Sequence, residues 1–152
     1  MIDLWQLNKK FGNFHAVKDV TLRVLPGEIF GFLGPNGAGK TTTIRMMVGL
    51  MKPTSGRVLL DGKDITREPE EAKSILGFIP DRPYLYEKLT GLEFLEFIAD
   101  LHGLDSGVPR GKRIAELLEF FDLSGWSREL VESYSHGMRQ RLIIAAAMIH
   151  RP

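Results

Sequence analysis

The sequence predicts an α/β fold with a strand-rich first half and a helical second half. Three observations lead there: period-2 apolar alternation near the N-terminus, a glycine-rich loop between an apolar run and a helical pattern, and helix-spaced apolar residues from Thr90 onward. The 152 residues, 43% hydrophobic and 26% charged, suit one domain with a real core and exclude a disordered chain. Cysteine is absent, which excludes a disulfide scaffold, an iron–sulfur site, a thiolate zinc site and a cysteine nucleophile.

Residues 2–7 alternate polar and apolar, and Val17, Val20, Leu22 and Val24 do so more loosely, so both segments read as half-buried strands. Pro26-Gly27 marks a turn, and Glu28 to Leu33 then reads as a short buried strand. After the loop Gly34 to Gly39, Ile44, Met47, Val48 and Met51 fall at helical spacing until Pro53-Thr54-Ser55-Gly56 breaks the pattern. Arg57 to Leu60 with Asp61-Gly62 predicts a strand entering a tight turn, Glu68 to Ser74 a short helix, and Ile75 to Pro80 a strand. Beyond it, Leu92, Leu95, Phe97 or Ile98, and Leu101 mark one helix face, with Thr90 as N-cap and Glu93 three residues on. Gly103 and Gly107-Val108-Pro109 interrupt that helix. Ile114, Leu117, Leu118 and Phe121 make a second, and Leu142 to Ile149 belongs to a third.

Charge is a weak guide to partners. Residues 1–66 carry nine Lys/Arg against five Asp/Glu, and residues 67–152 eleven against fourteen. That is far from a nucleic-acid binder's basic footprint, so no nucleic-acid partner is expected. The longest apolar run, Leu142 to Ile149, has eight residues, against roughly 20 needed to span a bilayer. The N-terminus has no signal-peptide core, so the expectation is a soluble cytoplasmic protein.

Gly34-Pro35-Asn36-Gly37-Ala38-Gly39-Lys40-Thr41 matches G-x-x-x-x-G-K-[ST], with a strand expected before it and a helix after. Its glycines let amides converge on phosphate oxygens, and the helix adds its positive N-terminal dipole. Lys40 reaches the β- and γ-phosphates as a point charge, the Thr41 hydroxyl ligates Mg²⁺, and Thr42 is placed to touch the α-phosphate. A second constellation is Tyr134-Ser135-His136-Gly137-Met138-Arg139-Gln140-Arg141. There Ser135 caps a helix whose first turn is either a second anion site or an ordinary capped terminus with two cations close by.

Taken together, the two motifs make the chain resemble the ATP-binding cassette (ABC) ATPases, the nucleotide-binding domains of ABC transporters, from residue 1 to residue 152. Gly34 to Thr42 is the Walker A loop. Tyr134 to Met138 occupies the place of the family's Leu-Ser-Gly-Gly-Gln signature, with Ser135 and Gly137 kept. The Ser-His-Gly-Met variant is similar to members that power exporters of drugs, antibiotics or polysaccharides. The resemblance implies a P-loop NTPase core with an N-terminal antiparallel β subdomain and an inserted helical subdomain. The core with the phosphate loop would span about residues 1–89, and the helical subdomain with the signature about 90–152.

The cofactors implied are ATP and Mg²⁺. ATP would be held by Phe11, Asn36, Gly37, Ala38, Gly39, Lys40, Thr41 and Thr42, with Phe11 stacking on adenine unless it or Phe14 is a core aromatic. Asp81 falls where the family's Q-loop usually has glutamine; it is either a metal ligand beside Thr41 or part of a solvated loop. The partners implied are a second ATPase subunit and a transmembrane permease. The two ATPase subunits would form a head-to-tail dimer in which Ser135, His136 and Gly137 face the ATP of the opposing subunit. The permease would hold the protein at the inner face of the cell membrane, and Pro83 to Thr90 is either its docking surface or ordinary loop packing. The family's Walker B strand, catalytic glutamate and switch histidine have no counterpart in residues 1–152, so no catalytic residue is assigned and the C-terminal part of the domain is expected to be missing. On that expectation the isolated chain is unstable, binds nucleotide weakly and is inactive. A non-hydrolysing nucleotide- or partner-binding short form and a soluble ABC ATPase outside transport are the alternatives.

Overall fold

The structure, a computed structural model, describes residues 1–105 and 107–152. They form two compact units, Met1–Leu76 and Gly77–Pro152.

The first unit is built on an antiparallel sheet in the order β2-β1-β3-β4, from β1 (Ile2–Phe11), β2 (Phe14–Val24), β3 (Ser55–Leu60) and β4 (Lys63–Asp64). The Asp61-Gly62 turn foreseen in the sequence joins β3 to β4, both residues at positive φ (48° and 83°), as a two-residue hairpin turn requires. Leu4, Leu7, Val17, Val58, Leu60 and Ile65 make the core together with Met46 and Ala72 of helices α1 (Lys40–Met47) and α2 (Pro69–Ser74).

Strict alternation in β1 and β2 does not hold. Between the pairs Leu4↔Leu22 and Leu7↔Val20, β1 carries an extra residue; between Leu7↔Val20 and Lys9↔Val17, β2 does. Gln6 (φ 45°) and Asp19 (φ 46°) lie in these two intervals in the left-handed region, and the bulges let Leu4 and Leu7, three residues apart, both reach the core.

Two expected strands are absent. Glu28 to Leu33 and Ile75 to Pro80 carry no ladder, and Ile29 and Leu33 are almost fully exposed. An apolar run of this kind becomes a strand only when neighbours satisfy its amides and carbonyls, and no described strand lies alongside either segment. Helix α1 also ends earlier than its spacing suggested, at Val48, and buries Thr43 and Met46 while Ile44 stays exposed.

The second unit is helical. Helix α3 (Gly91–Leu101) opens on the expected capping box: the Thr90 Oγ1 accepts from the Glu93 amide and the Glu93 carboxylate accepts from the Thr90 amide. The Thr90 amide and the Thr90 hydroxyl, which also donates to the Glu93 carboxylate (2.9 Å), hold that carboxyl below its ordinary pKa. Its buried face is Phe94, Leu95 and Ala99, with Leu101 left outside. Helices α4 (Val108–Phe120) and α5 (His136–Ala147) supply Ile114, Leu117, Leu118, Leu142, Ala145 and Ala146 to the same core. No helix among the described residues is long and apolar enough to cross a membrane.

Candidate functional site

In the first unit the phosphate-loop residues come together as one exposed turn leading into α1. Gly39 is the N-cap, at φ 84°. A Cβ there would lie 2.5 Å from the Ala16 carbonyl oxygen and 3.2 Å from Val17 Cγ2, so both torsion and space require glycine and the loop's end is seated on β2. Thr43, almost fully buried, donates to the Gly39 carbonyl through its amide (2.8 Å) and its hydroxyl (3.0 Å). The Lys40 Nζ folds back over the loop and donates to the carbonyls of Gly34 (2.6 Å) and Pro35 (2.7 Å).

The start of α1 is suited to an anion. No side chain caps it and no acidic residue lies in its first turn. Its leading amides have no carbonyl inside the helix to bond and carry the positive end of the dipole. Asn36, Gly37, Ala38 and Thr41 are exposed around it, and Thr42 is half-buried. These features fit a polyphosphate. They also fit a Mg²⁺ ion held mainly by phosphate oxygens and water, since the exposed Thr41 hydroxyl is at hand.

Phe11 lies at the end of β1, paired with Phe14. Neither ring is in the core: they are 47% and 65% exposed, and the Lys9 ammonium sits 5.2 Å from the Phe11 ring centroid.

The second unit holds the other motif. Ser135 is the N-cap of α5, its Oγ accepting from the Met138 amide at 3.3 Å. His136 and Gly137 are exposed in the first turn, and a Cβ on Gly137 would meet open space. The two nearby cations are engaged within the unit. Arg139 donates to the Glu87 carboxylate (3.1 Å) and the Glu132 carbonyl (2.8 Å); Arg141 donates to the Phe121 carbonyl at the end of α4 (2.9 Å). Their structural partners account for their place on α5 without an anion.

A groove of about 1310 Å³ runs beside this turn, lined by His136, Arg139 and Ile144 of α5, Phe97 of α3, and the segment Ile79 to Leu89. Tyr84 and Tyr86 stand edge to face at 5.3 Å, and Tyr86 and Phe97 likewise at 5.1 Å. Tyr84 remains 79% exposed, so the segment is not simply packed away as a loop. Asp81 lies on the groove wall in this unit, while Thr41 belongs to the first.

Sequence reasoning placed Tyr134 in the signature-like segment but missed what its side chain does. It is buried, its hydroxyl donates to the Trp126 carbonyl at 2.7 Å, and burial, with Glu129 nearby, pushes its pKa up. It also missed Asn8, whose carboxamide makes four hydrogen bonds, three of them to β2. A tyrosine beside a capping serine and an asparagine inside a strand carry no local signal of such long-range partners.

Solved structures share this arrangement. An ATP-binding subunit of an ABC transporter superposes with a TM-score of 0.87 at 33% identity, over the whole of this chain and 63% of its own. A nucleotide-free ATP-binding cassette from an ABC transporter gives 0.83 at 27% identity over 66% of its length. The sequence matches the ABC transporter family over residues 17–152, and the chain belongs to that family. Among similar proteins, the linearmycin resistance ATP-binding protein of Bacillus subtilis is 39% identical over all of this chain and 49% of its own length. The daunorubicin resistance ATP-binding protein of Streptomyces coeruleorubidus is 41% identical over 95% of this chain and 45% of its own. The bacitracin transport ATP-binding protein of Bacillus licheniformis is 40% identical over 100% and 48%. The chain thus spans about half the length of the curated relatives it matches.

Proposed function

We propose that the chain binds ATP with Mg²⁺ through residues 34–42 and Phe11, as part of a cytoplasmic ATPase subunit that powers export through a transmembrane permease. The observation that carries this is the start of α1: uncapped, free of acid, seated on β2 through Gly39, and followed by Lys40 and Thr41. ATP supplies a transferable γ-phosphoryl group, and Mg²⁺ neutralises charge on its β- and γ-oxygens. Of the loop amides from Asn36 to Thr41, that of Ala38 donates to the Pro35 carbonyl (3.3 Å) and the others would donate to phosphate oxygens, with Gly37 leaving the backbone uncovered. The Lys40 ammonium adds a point charge within reach of the loop, Thr41 offers its hydroxyl to the metal, and Thr42 closes on the α-phosphate. The Phe11 ring offers an exposed face to the base.

Ser135, His136 and Gly137 contact the ATP of an opposing subunit in a head-to-tail dimer. The exposed first turn of α5 supports this, because it presents a hydroxyl, an imidazole and an uncovered glycine backbone. The aromatic groove between α3 and α5 receives a helix of the permease, which keeps the protein at the inner face of the membrane. Asp81 lies on the wall of that groove, beside the surface offered to the permease. Export rather than import is supported by the resistance and antibiotic-transport relatives.

Residues 1–152 contain no apolar run ending in Asp-Glu, so this polypeptide by itself is expected to hold nucleotide without turning it over. Titration with ATP, alongside a phosphate-release assay, tests the reading. Binding that Lys40→Ala weakens about tenfold or more without loss of fold is the expected result. Turnover by residues 1–152 that Lys40→Ala removes would overturn the inactivity, and ATP binding indifferent to Lys40 would overturn the site.

A further inference from the structure

We propose that Asn8 is a positioning residue for nucleotide recognition: its carboxamide locks the β1–β2 hairpin so that the Phe11 ring is held at a fixed distance from the phosphate loop. The inference rests on the nucleotide-binding reading above and adds a residue to it. Asn8 lies between the bulge on β1 that contains Gln6 and the bulge on β2 that contains Asp19. Bulged strands bend, and where the tip then points depends on what fixes the bulge. Here the Asn8 carboxamide reaches both bulges, and the Gln6 amide adds a bond to Thr21 Oγ1 (3.1 Å) at the first. The Asn8 Nδ2 donates to the Gln6 carbonyl (2.9 Å) and to Asp19 Oδ1 (2.8 Å), while its Oδ1 accepts from the Asp19 amide (3.1 Å) and pairs with His15 Nε2 (2.8 Å).

These partners fix the amide's orientation, because a backbone carbonyl can only accept and a backbone amide can only donate. They also require His15 to carry its proton on Nε2. All four bonds to the carboxamide are therefore made in the sense its atoms allow. Gln6 and Asp19 both sit in the left-handed region, which non-glycine residues hold only when their surroundings over-determine it. The bonded carboxamide joins both.

The two ends of this lock are the two parts of the proposed nucleotide site. On one side lies the platform: Lys10, which pairs with His15, leads directly to Phe11. On the other, Ala16, next to His15, is the residue whose carbonyl presses on Gly39 at the end of the phosphate loop. A second set of bonds braces the platform from the β3 side, where the Lys10 amide donates to Thr54 Oγ1 (3.0 Å) and the Thr54 amide to the Asn8 carbonyl (2.9 Å). Asn8 thus touches neither end, yet lies on the connection between them.

The test uses two probes on the intact protein, ATP and inorganic tripolyphosphate, the second of which occupies the phosphate loop without a base. Asn8→Ala is expected to weaken ATP about tenfold while tripolyphosphate changes by no more than about twofold. Phe11→Ala gives the same pattern, and the double variant Asn8→Ala with Phe11→Ala is no weaker for ATP than Phe11→Ala alone, because both act through one ring. His15→Ala, which removes one of the four bonds, gives a smaller loss of the same kind and serves if Asn8→Ala does not fold. Equal loss of both probes, additive losses in the double variant, or unchanged ATP affinity would overturn the proposal. Failure of the unmodified protein to bind either probe would overturn the nucleotide reading and this one with it, whereas tripolyphosphate binding without any gain for ATP would overturn this one alone.

Discussion

The Tyr134 hydroxyl fills the space that a side chain on Gly91 would need, and it donates to the Trp126 carbonyl from there. The bond ties the residue before the α5 cap to Trp126, while the ring packs against the first turn of α3 at Gly91. Gly91→Ala forces the ring out of a buried slot and is expected to destabilise the helical unit by about 1–3 kcal/mol, the usual cost of overpacking. Adding Tyr134→Phe removes the clashing oxygen and recovers part of that loss. Denaturant unfolding of both variants checks the pair, and equal stability of Gly91→Ala and the unmodified protein would contradict the packing.

Ser135 has two roles that substitution can separate. Ser135→Ala costs the α5 cap about 1 kcal/mol, whereas Ser135→Gly costs only a few tenths. Both remove the hydroxyl offered to an opposing ATP. ATP-dependent dimerisation, followed by sedimentation, is therefore expected to fall about tenfold in both variants while thermal stability falls mainly in Ser135→Ala. Dimerisation that tracks stability would leave Ser135 as a cap only.

Lys40→Ala removes a charge that engages only loop carbonyls. The expected result is loss of ATP affinity worth about 1.5–3 kcal/mol, the range for hydrogen bonds to charged groups, with little change in the unfolding midpoint. Calorimetry and a melting curve on the same sample decide it.

The His102 and His150 rings stack with centroids 3.9 Å apart and planes 9° from parallel, and burial, then the His150 charge, lowers the His102 pKa. A base whose folded pKa is depressed binds more protons unfolded, so its stabilising contribution is complete above the ordinary histidine value and is lost as pH falls below it. The melting temperature is expected to drop as pH falls below about 6.5, with His102→Gln flattening that part of the profile. A profile unchanged by the substitution would remove His102 as its cause.

What could be read from the sequence was whatever is decided locally. The Thr90–Glu93 capping box, the Ser135 cap, the Asp61-Gly62 turn and the Gly34 to Thr41 pattern each depend on a few consecutive residues, and each is where the sequence put it. What could not be read depends on partners far along the chain. Ile29 and Leu33 are apolar enough for a buried strand, but a strand is a property of its neighbours. The place of Leu7 on the core face depends on a left-handed Gln6, which nothing in Trp5-Gln6-Leu7 announces. Two readings of Arg139 and Arg141 stay open in the sequence because their partners Glu87, Glu132 and Phe121 are not local to them.

The two bulges that flank Asn8 lie on opposite strands, and their offsets cancel: Lys9↔Val17 is back in the register that Leu4↔Leu22 began. In a crystal this would be a pair of dislocations of opposite sign, which displaces the lattice between its members; a third shift, between Lys9 and Lys10, then offsets the hairpin tip again. Either defect alone would shift the strands by one residue and turn the core faces of β1 and β2 against each other. A one-residue deletion at Gln6 should therefore be tolerated far better when a residue near Asp19 is deleted with it than when it stands alone.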